Sequence, residues 1–269
     1  MKCIICNSKS KFFLSKNFEK TPYGIDISIV NYYKCLNCGF TLSKTHVEMD
    51  KRQWMSLNNA HHHYVENIKY TQKTTNPPPY IDQANMLVLL HKNNIVDINR
   101  TLDFGGGYGT LSKILKKYFN LSLSVYDPYV QETEQVKYIQ KEELNKYDLV
   151  VSSASFEHLY SRASFDEINS LVSKNGYLLI HTVVRENIPK DENWFYMQPP
   201  VHCAFHTNAS MSILMKQWNY EASIYCPSAK SWILIKTTAL KIKNAIKLIN
   251  SELQATYFIY KDGFVDYWD

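Results

Sequence analysis

The chain has 269 residues, 45% of them hydrophobic and 20% charged, which excludes a disordered chain and allows one large domain with or without a small module. No apolar run approaches the roughly 20 residues of a membrane-spanning helix. No apolar signal-peptide stretch follows Met1-Lys2-Cys3, so a cytoplasmic protein is expected. The net charge of +5 is uneven: residues 1–80 hold 11 Lys/Arg against 5 Asp/Glu, and the remainder holds 19 against 20. A basic N-terminal part suits an anionic partner, either nucleic acid or a phosphate-bearing small molecule. It suits a solvated lysine surface equally well.

Four of the six cysteines form two pairs, Cys3-Ile-Ile-Cys6 and Cys35-Leu-Asn-Cys38, 28 residues apart. Two such pairs in an intracellular chain read as a tetrahedral structural zinc site, closed to substrate because four thiolates leave no open position. Gly39 fits the tight turn after the second pair. Between the pairs, Phe12, Phe13, Tyr23, Ile25, Ile27, Ile29, Tyr32 and Tyr33 alternate as the strands of a small ribbon. The expected module spans residues 1–48. Residues 49–79 form a partly helical linker carrying Trp54, Leu57, Tyr64, Ile68 and Tyr70. Its triplet His61-His62-His63 does not chelate as a unit on a helix, although one of the three is in reach of a substrate. Asn76-Pro77-Pro78-Pro79 breaks the chain. A helix with Ile81, Ala84, Leu87, Val88 and His91 follows.

Residues 95–119 then read as strand, glycine turn and helix. Ile95 to Leu102, with Ile95, Val96, Ile98 and Leu102 apolar, lead into a strand, and Gly105, Gly106, Gly107 and Gly109 permit a tight turn. Leu111, Ile114, Leu115 and Phe119 recur at helical spacing. This is the opening of a doubly wound sheet that binds a nucleoside at its carboxyl edge. Glycines there let a ligand lie on bare backbone. A second strand over Ser122–Tyr126 ends at Asp127, placed to accept hydrogen bonds from ribose hydroxyls. Val136–Ile139 is the expected third strand, and Tyr147–Ser153 the fourth. A helix stops at Asn175-Gly176, and Tyr177–Thr182 is the fifth strand. The aromatic stretch Asn193–Thr207 reads as an acceptor pocket. Thr207 or Asn208 caps a helix with Met211, Leu214, Met215 and Trp218 inward. Tyr220–Cys226 and Trp232–Lys236 are the last strands. Ala239–Leu253 is an amphipathic helix, and an aromatic tail, Phe258–Trp268, docks on its own domain, over the active site or on a second copy. Cys203 and Cys226 read as buried thiols.

The pattern D-F-G-G-G-Y-G at 103–109, followed by V-Y-D-P at 125–128 and S-F-E-H-L at 155–159, resembles motifs I, II and IV of the class I S-adenosylmethionine (SAM)-dependent methyltransferases. The resemblance covers residues 80–237 and leaves 238–269 as a C-terminal helix and tail. It implies an α/β fold with a Rossmann-like seven-stranded sheet, the last two strands closing it as an antiparallel pair. It implies SAM contacts from Asp103, Phe104, Gly105, Gly106, Gly107, Asp127, Pro128, Ser153, Ala154 and Phe156. Glu142 and Glu143 would lie in the loop beside the adenine.

The segment Pro200-Val-His202-Cys-Ala-Phe205-His-Thr207 resembles the P-x-H-x-x-F-x-T stretch of some members. His202, His206 and His158, in that order, become the candidate bases, with a purely structural role open for His158. The Cys3, Cys6, Cys35, Cys38 ribbon narrows the resemblance to two groups. Bacterial glycan and nucleotide-sugar methyltransferases imply O- or N-methylation of a sugar or related small molecule. Ribosomal RNA methyltransferases imply a nucleic-acid partner, which the shortage of arginine disfavours. A SAM-binding protein without turnover is a third reading.

Overall fold

The structure is a computed structural model that describes residues 1–18, 21, 24, 27–65, 78–130, 136–236 and 240–266. Its main sheet has seven strands. They are β4 (Thr101–Phe104), β5 (Ser124–Tyr126), β6 (Tyr147–Ser153), β7 (Val172–His181), β10 (Ala222–Cys226), β11 (Ser231–Ile235) and β12 (Ile259–Asp262). Their order is β12-β10-β11-β7-β6-β4-β5. The block from β7 to β5 is parallel, and β11, β10 and β12 are added antiparallel.

Successive strand residues point to opposite faces, so the near-continuous apolar run of β6 fills two cores. On one face Leu149 and Val151 pack with α3 (Tyr80–Lys92), α4 (Thr110–Phe119) and α7 (Leu240–Glu252). On the other, Val150 packs with Phe165 and Ile168 of α5 (Arg162–Ser170) and with Met211, Leu214 and Met215 of α6 (Asn208–Gln217). Of the two cap candidates, Thr207 caps α6, through a reciprocal pair of bonds with Ser210, and Asn208 is the first residue of the helix.

Three segments differ from the expectation. Residues 136–139 form no strand; a single bridge, Val125 to Tyr138, is all that pairs there. Tyr138 instead sends its hydroxyl to the Gly107 carbonyl at 2.7 Å, and Val136 packs on Gly109. The seventh strand comes from the tail. Gly176 stops no helix: α5 ends at Ser170, and Gly176 lies inside β7, where the pairing with β6 jumps from Tyr147–Val172 to Leu149–Tyr177. A Cβ on Gly176 would meet the Asp148 carbonyl at 2.8 Å, so the irregularity needs the glycine. The tail docks on its own domain. Phe264 stacks on Trp232 at 5.4 Å, and the Trp232 indole donates to the Val265 carbonyl at 2.7 Å. Tyr267 and Trp268 lie outside the described residues, as do Tyr23, Ile25, Ile68 and Tyr70.

The cysteine ribbon is no separate bead. Its strands β1 (Ser10–Phe18), β2 (Ser28–Cys35) and β3 (Thr41–Ser43) continue into β9 (Ala204–Thr207) and β8 (Val184–Arg185), in the order β1-β2-β3-β9-β8. The short α1 (Lys44–Glu48) and then α2 (Lys51–Val65) lead from the ribbon to the main sheet. No helix among the described residues is long and apolar enough to cross a membrane. Because Phe264 is buried against Trp232 at the end of the added edge, Phe264→Ala is expected to lower unfolding free energy by about 3 kcal/mol. Urea denaturation followed by tryptophan fluorescence measures it.

Candidate active site

The carboxyl edge of β4 carries the glycine turn. Gly105, Gly107 and Gly109 take φ of +72°, +53° and +67°, the left-handed region that favours glycine. The Gly105 amide donates to the Tyr126 carbonyl at 2.7 Å, which fixes the turn against β5. Gly106 is bare for a second reason: a Cβ there would lie 2.8 Å from the Asp103 carboxylate and 2.8 Å from Val125. Asp127 ends β5. Its carboxylate accepts from the Gly107 amide at 2.8 Å and from the Tyr129 and Val130 amides at 2.8 and 3.0 Å, so it shapes both the glycine turn and the turn through Pro128. Asp103 and Asp127 are both buried at this edge. Two acids flanking bare backbone fit the polar and nucleoside parts of SAM.

At the end of β6, Ala154 holds φ +52°, unusual for a residue with a side chain and often found where a site needs the backbone bent. The Ser153 hydroxyl is taken by Gln83, which also reaches Ser231. Phe104 packs on Tyr126, and Phe156 is fully buried between Phe165 and His206. The side chains of Ser153 and Phe156 thus serve the interior.

α2 crosses over this edge. His62 stacks on Tyr129 at 5.9 Å, and His63 is hydrogen-bonded to the Tyr108 hydroxyl of the glycine turn. His61 and His62 lie 6.0 and 6.2 Å from the ring of His158, and His202 lies 5.1 Å from it. Residues 54, 58 and 61 share the inner face of α2, a periodicity visible in the sequence that would have placed His61 inward. The triplet therefore contributes singly to a histidine cluster.

His202 Nδ1 donates to the Tyr196 carbonyl at 2.7 Å, leaving the lone pair on Nε2. His158 Nδ1 meets Asn58 Oδ1 at 3.2 Å, and the Asn58 amide is turned by its own bond to the Trp54 carbonyl. Asn58 thus accepts, and His158 too keeps its lone pair on Nε2. Burial drives His202 down to about 4, and burial with the neighbouring His202 takes His61 to about 3. Burial and the adjacent histidines hold His158 well below its usual range. Beside them, burial raises Glu157 to about 7. One carboxylate oxygen of Glu157 and one ring nitrogen each of His158 and His202 lie within 4.8 Å of one another.

His206 does not join this group. Its ring is fully buried among Phe40, Phe156 and Phe165 at 4.9 to 5.7 Å, with no side-chain hydrogen-bond partner among the described residues. Burial lowers it to about 3. It is a core residue, shut off from any acceptor, because β9 turns it inward.

The four N-terminal cysteines converge. Sγ separations are 3.7 Å for Cys3–Cys38, 3.4 Å for Cys6–Cys35 and 3.6 Å for Cys6–Cys38. Four sulfurs about 2.3 Å from one zinc ion would stand about 3.8 Å apart, so the group fits that ion. The Ile5 and Asn37 amides point at the Cys3 and Cys35 sulfurs at 3.4 Å, and Gly39 takes φ +72°. The hydrogen bond between them pulls Cys3 down to about 5 and pushes Cys38 up.

Residues 79–223 match the family described as "Methyltransferase domain". A comparison with curated proteins finds no match. Among solved structures, the chain is similar to the plantazolicin methyltransferase BpumL bound to a pentazolic desmethylPZN analogue and SAH. Identity is 11% and the TM-score 0.46, covering 76% of this chain and 91% of that one. It is also similar to the O-methyltransferase of a trans-AT PKS multienzyme of Brevibacillus brevis with S-adenosyl-L-homocysteine, at 16% identity and TM-score 0.37, covering 74% and 76%. A third is the Haloferax volcanii complex of the Trm112 activator with a putative methyltransferase, at 10% identity and TM-score 0.39, covering 58% and 92%.

Because a side chain at Gly106 collides with Asp103, Gly106→Ala is expected to weaken S-adenosylhomocysteine (SAH) binding at least tenfold. Isothermal titration calorimetry measures it, with circular dichroism as the check on folding.

Proposed function

The chain belongs to the methyltransferase-domain family, and on that premise we propose that this SAM-dependent methyltransferase methylates a hydroxyl or amine of a sugar or related small molecule. The observation that carries the reading is the histidine cluster beside the end of β6. It offers neutral ring nitrogens, with His202 set against the buried ring of Tyr196, at the edge where the cofactor cradle ends. Such a surface suits a compact polar acceptor. A groove for nucleic acid would need a basic track.

SAM supplies a sulfonium-bound methyl group that needs no further activation. The chain's own residues do the rest. Asp103, Phe104, Gly105, Gly106, Gly107, Asp127 and Pro128 hold and orient the cofactor, with the bent backbone at Ala154 beside its reactive end. His158 and His202 face the acceptor's reacting group, each with its Nδ1 tied down and its ring thereby aimed. Holding two reactants in line is itself a large part of such catalysis. His206 is left out of this proposal because it is sealed in the core.

Cys3, Cys6, Cys35 and Cys38 hold a structural zinc ion in a module of residues 1–48. Residues 49–79 carry α2 across the cofactor, and residues 80–237, completed by α7 and β12 of the tail, form the catalytic domain. The basic N-terminal part favours an acceptor that bears phosphate, as a nucleotide sugar does.

The test is transfer of labelled methyl from SAM into fractions of a lysate lacking this protein. Label is expected in soluble sugar nucleotides or polysaccharide; label confined to RNA overturns the acceptor class. His158→Asn and His202→Asn are each expected to cut turnover more than tenfold with SAH affinity within twofold of wild type. Parallel loss of SAH binding would assign them to the cofactor side.

A further inference from the structure

Beyond aiming an acceptor, the Glu157–His158–His202 group has three features of a metal site. First, each imidazole has its Nδ1 directed at an oxygen, Asn58 Oδ1 or the Tyr196 carbonyl. That is the outer-shell arrangement that fixes the tautomer of a metal-ligating histidine and raises its basicity. Second, the Glu157 carboxyl group is buried; the Tyr196 and Thr182 hydroxyls hydrogen-bond to it, yet its Oε2 keeps no hydrogen-bond partner among the described residues. A buried carboxylate oxygen left alone is costly, and a cation is its natural complement. Third, one carboxylate oxygen of Glu157 and one ring nitrogen each of His158 and His202 already stand within 4.8 Å of one another. Drawing them onto one ion about 2.1 Å from each takes a movement under about an ångström per side chain.

We propose that Glu157, His158 and His202 bind a first-row divalent cation whose open position takes the acceptor's hydroxyl or amine. This rests on the reading above that the acceptor meets this histidine pair. Two histidines and one carboxylate are a donor set for zinc, manganese or iron, and three protein ligands leave a place for substrate. The site differs in kind from the cysteine cluster, whose four thiolates leave no such place.

The probe is Co²⁺, added to protein that carries a single equivalent of zinc, held by the four thiolates of the cysteine cluster. Cobalt on nitrogen and oxygen ligands gives weak visible bands, whereas cobalt on thiolates adds intense charge-transfer absorption. One Co²⁺ per chain is expected to bind with visible bands and no thiolate charge transfer. Glu157→Gln is expected to weaken it at least tenfold, and the double substitution His158→Asn with His202→Asn to abolish it. SAH affinity in both variants, within twofold of wild type, shows that the fold survives. Cobalt binding as strong in the double variant as in wild type overturns the site. Full methyl transfer by metal-stripped enzyme, with His202→Asn still inactive, also overturns it and leaves the function standing. Cobalt bound as expected, with no methyl transferred to any fraction, keeps the site and removes the function.

Discussion

Two pairs of residues, Thr41 with Phe205 and Leu42 with Ala204, join the cysteine ribbon to the segment that carries Tyr196 and His202. That segment, residues 191–207, has little regular structure of its own: a short turn at Phe195–Met197 and the four residues of β9. It owes its shape to the ribbon. The Ser43 amide donates to the Cys203 carbonyl at 2.8 Å, the Tyr32 hydroxyl to the His202 carbonyl at 3.1 Å, and His46 meets the Pro200 carbonyl at 2.9 Å. Lys16 donates to the Glu192 carbonyl at 2.7 Å, and the Thr207 hydroxyl donates to the carbonyl of Cys38 itself. Each such bond contributes about 1 kcal/mol. Together they leave the segment one conformation in place of many.

A division of labour follows. The seven-stranded sheet forms the proposed cofactor cradle from local elements: the turn after β4, the acid after β5 and the bend after β6. The five-stranded sheet forms the proposed acceptor wall from distant ones. α2 bridges the two, with Trp54 and Leu57 in the same core as the cysteines and its histidines over the glycine turn. Changes in acceptor can therefore be accommodated in β9 and the ribbon without touching Asp103 or Asp127.

What the sequence revealed was local. The glycines at 105–109, Asp127 and the Thr207 cap each act within a few residues of the strand they follow, so spacing alone locates them. The cysteine pairs were legible because each knuckle is a self-contained turn. What stayed hidden was long-range. Nothing in Val136–Ile139 says that Val136 will be spent on Gly109 and Tyr138 on the Gly107 carbonyl, leaving the sheet edge one rung long. Gly176 looked like a helix stop because a glycine after a lysine and an asparagine reads that way; its true constraint is the Asp148 carbonyl, 28 residues earlier. His202 and His206 share one motif, and only the pairing of β9 with β3 and β8 decides that one meets the cluster and the other is walled in by phenylalanine. Cys38 and Thr207 are 169 residues apart, and their bond has no signature in either segment.

The cysteine ribbon thus holds the proposed acceptor wall, while the proposed cofactor cradle stands by itself. Amide hydrogen exchange on a Cys35→Ser, Cys38→Ser double variant, with SAH affinity measured on the same sample, tests it most directly. The account predicts lost protection across residues 1–43 and 194–207, unchanged protection at 101–111 and 147–153, and SAH affinity within threefold of wild type. Protection kept at 194–207 while the ribbon opens would contradict it, as would loss spread evenly through the seven-stranded sheet.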